Sequence, residues 1–287
     1  MTDQPTSAPD PQPPAEPSSQ PTPGAPGSGP AGGPGMPEGP PESAFRYIFS
    51  NDFGDLIDKM NGSLFVNTYQ AGKLMVVRTI NGRVSTLLRS FEMPMGLAVD
   101  PRRLAIGTRR QIWFFRNAPD IAAQLEPRET FDSCYVPRDS HVTGDFRAHE
   151  IAWVGDELWQ ANTRFSCLCT VDPDSSFVPR WQPKWIDKLV AEDRCHLNGL
   201  AVADGQVKYL TAHGDSNERQ GWRENKRDGG VIIDFDSGEV ISRGLAMPHS
   251  PRLYANRLFV LDSGRGELQV VDTDSGKRDT VCRLPGF

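Results

Sequence analysis

Through most of this chain apolar and polar residues alternate in short runs broken by Asp, Asn and Gly, the pattern of half-buried strands joined by tight turns. Five segments share one layout of strand, turn and strand: DLIDKMNGSLFVNT from Asp55, MGLAVDPRRLAIGT from Met95, HEIAWVGDELWQANT from His149, NGLAVADGQVKYLT from Asn198 and HSPRLYANRLFVLDS from His249. In each, the apolar residue opening the second strand lies nine positions after the first residue: Leu64, Leu104, Leu158, Val207 and Leu258. A third apolar run follows each pair (KLMVVR, IWFFR, CLCTV, VIIDF and ELQVVD), and Asn81-Gly82, Asp172-Pro173, Asp236-Ser-Gly and Asp274-Ser-Gly supply turns toward a fourth strand. Four antiparallel strands repeating every 40 to 54 residues describe the blades of a β-propeller. A β-sandwich is the rival all-β architecture, but its strands lack this fixed register. Two short helices are expected in connections, APDIAAQLE from Ala118 and IDKLVAED from Ile186.

Composition sets the boundaries. Of the 25 prolines, 14 lie between Pro5 and Pro41 among Gly, Ser, Ala and Gln, so residues 1–44 are expected to be a disordered tail and residues 45–287 the propeller. Net charge is −6, with an isoelectric point near 5.4 and scattered arginines, which argues against nucleic acid as a partner. No apolar run approaches the ~18 residues of a membrane span. Five cysteines without a secretory leader point to reduced thiols and a cytoplasmic setting.

Several stretches carry a family resemblance: FVNTYQAGKL, MPMGLA, HEIAW with LWQANTRFSCLCT, HLNGLAV, and MPHSPRLY with LFVLDSGRGEL. From about Phe45 to the last residue, the chain resembles the bacterial TIGR03032 family, which overlaps the DUF4915 group and has no assigned activity. Members of that family continue past LPGF into a further blade. The resemblance thus implies five four-stranded blades of a six-bladed ring, truncated at its C-terminal end, with the FRYIF strand after Ala44 helping to close it.

In a propeller the innermost strand of each blade lines the central channel, and its starting end shares a face with the loops that enter it. His149 and His249 open such strands, and His196 lies two residues before one. His141 lies in the loop leading to the third blade, and His213 begins the long loop within the fourth, so all five histidines map to one face. The first positions around the axis read Asp55, Met95, His149, Asn198 and His249. Imidazoles and carboxylate or amide oxygens converging there suit one divalent metal ion. The metal set is His149, Asn198 and His249, with Asp55 or Glu150 as further ligand or general base. Asn198-Gly199-Leu200 also resembles the NGL motif of the senescence-marker/gluconolactonase propellers, which bind a metal with Glu, Asn and Asp at comparable strand starts. His149 and His249 stand where that family has carboxylates, a departure that leaves neither the metal's identity nor the lactonase chemistry implied by the resemblance.

The remaining candidates surround this face. Asn162 and Arg164 precede the CLCTV strand, and the loop from Ala212 to Gly230 offers Arg219, Arg223 and Arg227 to an anionic ligand. The expected ligand-binding set is His141, Asn162, Arg164, His196, His213, Arg219 and Arg223. Cys167 and Cys169 are read as small buried residues. No nucleotide or flavin motif and no nucleophile elbow is present. The function expected is a channel-mouth site for a small molecule or peptide, metal-dependent if catalytic. The alternative is a non-catalytic scaffold that recognises a peptide, sugar or protein on the same face.

Overall fold

The computed structural model describes residues 48–284. Within them, nineteen strands form five antiparallel sheets, each a meander of consecutive strands. Blade 1 holds β1 (Leu64–Thr68), β2 (Lys73–Ile80) and β3 (Arg83–Ser90). Blade 2 holds β4 (Leu97–Val99), β5 (Arg103–Gly107), β6 (Gln111–Asn117) and β7 (Tyr135–Val142). Blade 3 runs β8 (Ala148–Val154), β9 (Glu157–Asn162), β10 (Cys167–Asp172) and β11 (Ser175–Trp181). In blade 4 follow β12 (Leu197–Ala203), β13 (Gln206–Ala212), β14 (Gly230–Asp234) and β15 (Val240–Leu245). Blade 5 closes with β16 (Pro248–Tyr254), β17 (Arg257–Asp262), β18 (Glu267–Val271) and β19 (Arg278–Arg283). The fold is all-β, a propeller of five blades. Its innermost strands pack in succession, β4 on β8, β8 on β12 and β12 on β16.

An apolar cluster lies between blades 1 and 2, 2 and 3, 3 and 4, and 4 and 5. Leu74 meets Leu104 and Ile106 between blades 1 and 2, and Ala105 and Ile112 meet Ile151 and Leu158 between blades 2 and 3. Ala161 and Leu168 pack on Leu197, Leu210 and Ile233, and Ile232 and Leu245 on Leu258 and Val260. Strands between two such clusters are buried on both faces, as in β10, where Cys167 through Thr170 are all buried. Cys167, Cys169 and Cys195 belong to these clusters. Burial raises the Cys169 thiol pKa and pushes that of Cys195 up to about 12. Neither forms thiolate near neutral pH, and the thiolate is the reactive species. Titration of the native protein with a thiol reagent at mildly alkaline pH is therefore expected to label exposed Cys282 and half-buried Cys134, and the other three only after unfolding.

Blade 1 departs from the repeat. The segment expected as its first strand is helix α1 (Phe53–Met60), so Asp55 lies on an exposed helical surface and not at a strand start. The reason lies in the spacing. Phe53, Ile57 and Met60 recur at helical intervals, whereas the matching segments of the other blades alternate. Asn61 ends the helix in the left-handed conformation (φ 47°, ψ 51°) and donates its N–H to the Asp58 carbonyl.

Helix α2 (Pro119–Ala122) forms within APDIAAQLE, but IDKLVAED has no helix. Ile186 is drawn into the core between blades 3 and 4 instead, and Asp187 is held by Asn217 and Arg194. Residues 1–44 and most of FRYIF lie outside the described residues. The compact unit containing the blades begins at Ser50.

Candidate functional site

Blades 3, 4 and 5 bring the starts of β8, β12 and β16 together, and each strand is bulged there. Pairing slips between Ala148 and Ile151, between Leu197 and Gly199, and between His249 and Arg252. A bulge re-aims the side chains beside it. Those side chains here include His149, Glu150, Asn198 and His249.

Glu150 ties the three blades. Its Oε2 accepts the Leu200 N–H at 3.1 Å, and its Oε1 pairs with the Arg252 guanidinium. Burial raises the pKa of this carboxyl, and Arg252 opposes the shift. Gly199 leaves the room: a Cβ there would stand 2.4 Å from Thr211 Oγ1, 2.5 Å from Pro251 Cδ and 3.1 Å from Glu150 Oε2. Asn198 is a brace between strands. Its Nδ2 donates to the Pro248 carbonyl at 2.9 Å, and its Oδ1 accepts the Thr211 hydroxyl at 2.6 Å. Of the expected metal set His149, Asn198 and His249, Asn198 has each end of its amide engaged by a neighbouring strand.

His149, Glu150, Asn198, His249, Ser250 and Arg252 wall a cavity of about 260 Å³, which Met95 to Leu97 of blade 2 complete. Beside the cavity four imidazoles form a closed circuit. Ring centroids are 5.1 Å apart for His149 and His196, 4.3 Å for His196 and His213, 4.9 Å for His213 and His249, and 5.7 Å for His249 and His149. Strand pairing explains half of it: His196 precedes β12, His213 follows β13, and Leu197 pairs with Ala212 between them.

The rings are anchored from outside. Asp193 Oδ1 lies 2.8 Å from His196 Nδ1, and the Met247 carbonyl lies 2.9 Å from His249 Nδ1. Asp193 is itself paired with Arg147 at 3.6 Å. His213 is 4% exposed, and neither of its ring nitrogens has a hydrogen-bond partner. Trp222, from the long loop of blade 4, packs 4.3 Å from His196 and 5.1 Å from His213. Burial first, and neighbouring positive groups second, lower the pKa values of His149 and His213. Burial also lowers His249, against the pull of the Met247 carbonyl. All three rings are therefore uncharged at neutral pH, each keeping one nitrogen lone pair. Among the described residues, no three His, Cys, Asp or Glu side chains are arranged as they stand to hold a metal ion.

The other expected residues fall elsewhere. His141 is on β7, the outermost strand of blade 2, where its Nε2 meets the Ser176 carbonyl at 3.1 Å. It stands on the outer edge of its blade, apart from the other four histidines. Asn162 is fully buried and its Oδ1 accepts the Phe165 N–H, a turn-forming role. Arg164 pairs with Asp145 at 3.8 Å. Arg219 and Arg223 are exposed, with Arg223 lying over the outer face of Trp222. Sequence reasoning missed Arg252 and Asp193. Each lies three residues from a histidine of the cluster, and that local spacing was the available signal.

A larger cavity of about 880 Å³ lies between blades 1 and 2, walled largely by apolar side chains such as Phe65, Leu74, Trp113 and Phe115. The smaller one has the convergent polar groups expected of a ligand site.

No curated protein matches this sequence. Solved structures with similar folds include virginiamycin B lyase from Staphylococcus aureus, at 12% identity over 78% of this chain and 67% of that one, with a TM-score of 0.45. A Thermus thermophilus protein described as a putative oxidoreductase (glucose dehydrogenase) aligns at 15% identity over 79% of this chain and 83% of that one, with a TM-score of 0.48. AztD from Citrobacter koseri aligns at 11% identity over 78% and 60%, with a TM-score of 0.34. No helix among the described residues is long and apolar enough to cross a membrane. Family membership comes from the sequence itself: residues 51–287 match the domain of unknown function DUF4915, and the chain belongs to that family.

Proposed function

We propose that the channel mouth between blades 3, 4 and 5 binds a small polar molecule. The observation that carries this reading is the convergence of His149, Glu150, Asn198, His249 and Arg252, from three separate strands, on one cavity of about 260 Å³. That volume suits a compact metabolite and is too small for a folded partner or a long peptide. The lining offers a guanidinium, a carboxylate, the Ser250 hydroxyl and uncharged imidazoles, so the ligand carries both hydrogen-bond donors and acceptors. Arg252 is the natural contact for an anionic group, because its side chain remains 56% exposed while bound to Glu150.

A thermal-shift panel of small carboxylates, lactones and sugars tests this reading. A binder at about a hundred times its Kd adds about 2.7 kcal/mol of stability, or a rise in Tm of roughly 5–10 °C for a domain of this size. The rise is expected to vanish in Arg252→Gln and His249→Ala. Binders whose shift survives both substitutions contradict the reading.

A further inference from the structure

We propose that His149, His196, His213 and His249 bind one first-row transition-metal ion through four imidazole nitrogens, beside the ligand pocket. The inference rests on the channel-mouth reading for the ion's purpose, though not for its binding.

Distances carry it first. A ring nitrogen about 2.1 Å from a metal places its ring centroid about 3.2 Å away, so two imidazoles on one ion have centroids about 4.5 Å apart at a right angle and about 5.2 Å apart at a tetrahedral angle. The four sides of the circuit, 5.1, 4.3, 4.9 and 5.7 Å, bracket those values. The nitrogens do not converge as the rings stand. Turning a ring about its Cβ–Cγ bond redirects the nitrogens while the centroid, close to that axis and set by the backbone and χ1, barely moves, and for His213 the turn breaks no hydrogen bond. Bulged strands hold His149 and His249, and the paired ends of β12 and β13 hold His196 and His213.

Outer contacts support the same assignment. Asp193 engages Nδ1 of His196 and the Met247 carbonyl engages Nδ1 of His249, leaving Nε2 of each for an ion. A carboxylate or carbonyl behind an imidazole is the usual way a metal-binding histidine is oriented. His213 adds an independent observation. It is buried with two ring nitrogens that have no partner, and packing on Trp222 satisfies neither. Ligation would engage one of them. An all-imidazole set favours zinc, iron, copper or nickel over magnesium or calcium. A bound ion of this kind polarises a ligand oxygen, and His149 and His249 are common to the circuit and to the pocket wall.

The test uses the full chain without a histidine tag, stripped with chelator and titrated with cobalt(II) alone, followed by calorimetry and visible absorption. One ion per chain is expected. His213→Ala and His249→Ala are each expected to weaken it more than about a hundredfold, and Asp193→Asn by about ten- to a hundredfold. His141→Ala leaves affinity unchanged. Copper(II) bound to the unaltered protein gives a second readout that needs no variant to fold: its electron paramagnetic resonance spectrum is expected to show four imidazole nitrogens. Any lower nitrogen count, or folded protein that takes up neither metal, overturns the proposal. Metal absent while pocket ligands still bind sinks this inference alone. Metal bound while every ligand shift survives His249→Ala and Arg252→Gln sinks the functional reading alone.

Discussion

Alanine at Glu150 is expected to lower the stability of the propeller by about 3 kcal/mol and its Tm by roughly 6–12 °C. The carboxylate lies at the meeting point of three blades, holding the Leu200 N–H of blade 4 and the Arg252 guanidinium of blade 5. Removing it leaves a buried backbone donor without an acceptor and ends a charge-assisted hydrogen bond, costs of about 1–3 and 1.5–3 kcal/mol. The freed Arg252 is half-exposed and regains water, so the loss stays below the upper range for a broken buried ion pair. Glu150→Gln keeps an acceptor for Leu200 and is expected to cost about 1 kcal/mol. Urea unfolding of the two variants checks this ordering. Equal losses would mean that charge, and not the hydrogen bond to blade 4, holds the junction.

A single methyl at Gly199 is expected to be about as damaging, at roughly 3 kcal/mol, the upper end of the usual cost of overpacking. The added carbon would fall 2.4 Å from Thr211 Oγ1 and 2.5 Å from Pro251 Cδ. Neither neighbour retreats easily. Thr211 is fully buried and bonded to Asn198, and Pro251 is a rigid ring in the bulge of β16. Blades 4 and 5 would have to separate, carrying His249 away from His213. Gly199→Ala is thus expected to reduce both unfolding stability and pocket-ligand affinity, whereas Gly205→Ala, in an open turn with nothing nearby, costs only its backbone strain at φ 70°. Loss of stability with unchanged ligand affinity would place the binding site away from this junction.

The propeller was legible because its signal is a register. A fixed interval from the start of one strand to the apolar opening of the next survives wide changes in residue identity, and β1, β5, β9, β13 and β17 all stand where it puts them. Blade 1 misled at Asp55 because Asn61-Gly62 serves equally as a hairpin turn and as a left-handed helix cap. The apolar spacing of Phe53, Ile57 and Met60 was the discriminating feature. Topology was enough to group His149, His196, His213 and His249, but it wrongly added His141 to them. His141 lies on the outermost strand of blade 2, while His196 and His213 become neighbours through the β12–β13 pairing. The three bulges have no sequence signature of their own, since an alternating run looks regular whether or not one residue is looped out. For the same reason Asn198 reads as a ligand from its motif, while its bonds to Pro248 and Thr211 make it a brace. IDKLVAED, helical by propensity, is held in an irregular path by contacts from Arg194 and Asn217 that arise only in the folded chain.

The central claim is that ligands enter at the starts of β8, β12 and β16. With five histidines in the chain, selective imidazole labelling gives a spectrum simple enough to read that directly. Addition of any compound that raises Tm is predicted to move the ring resonances of His149 and His249 while leaving that of His141 in place. Binding that shifts His141, or none of the five, while His149 and His249 stay fixed would contradict it.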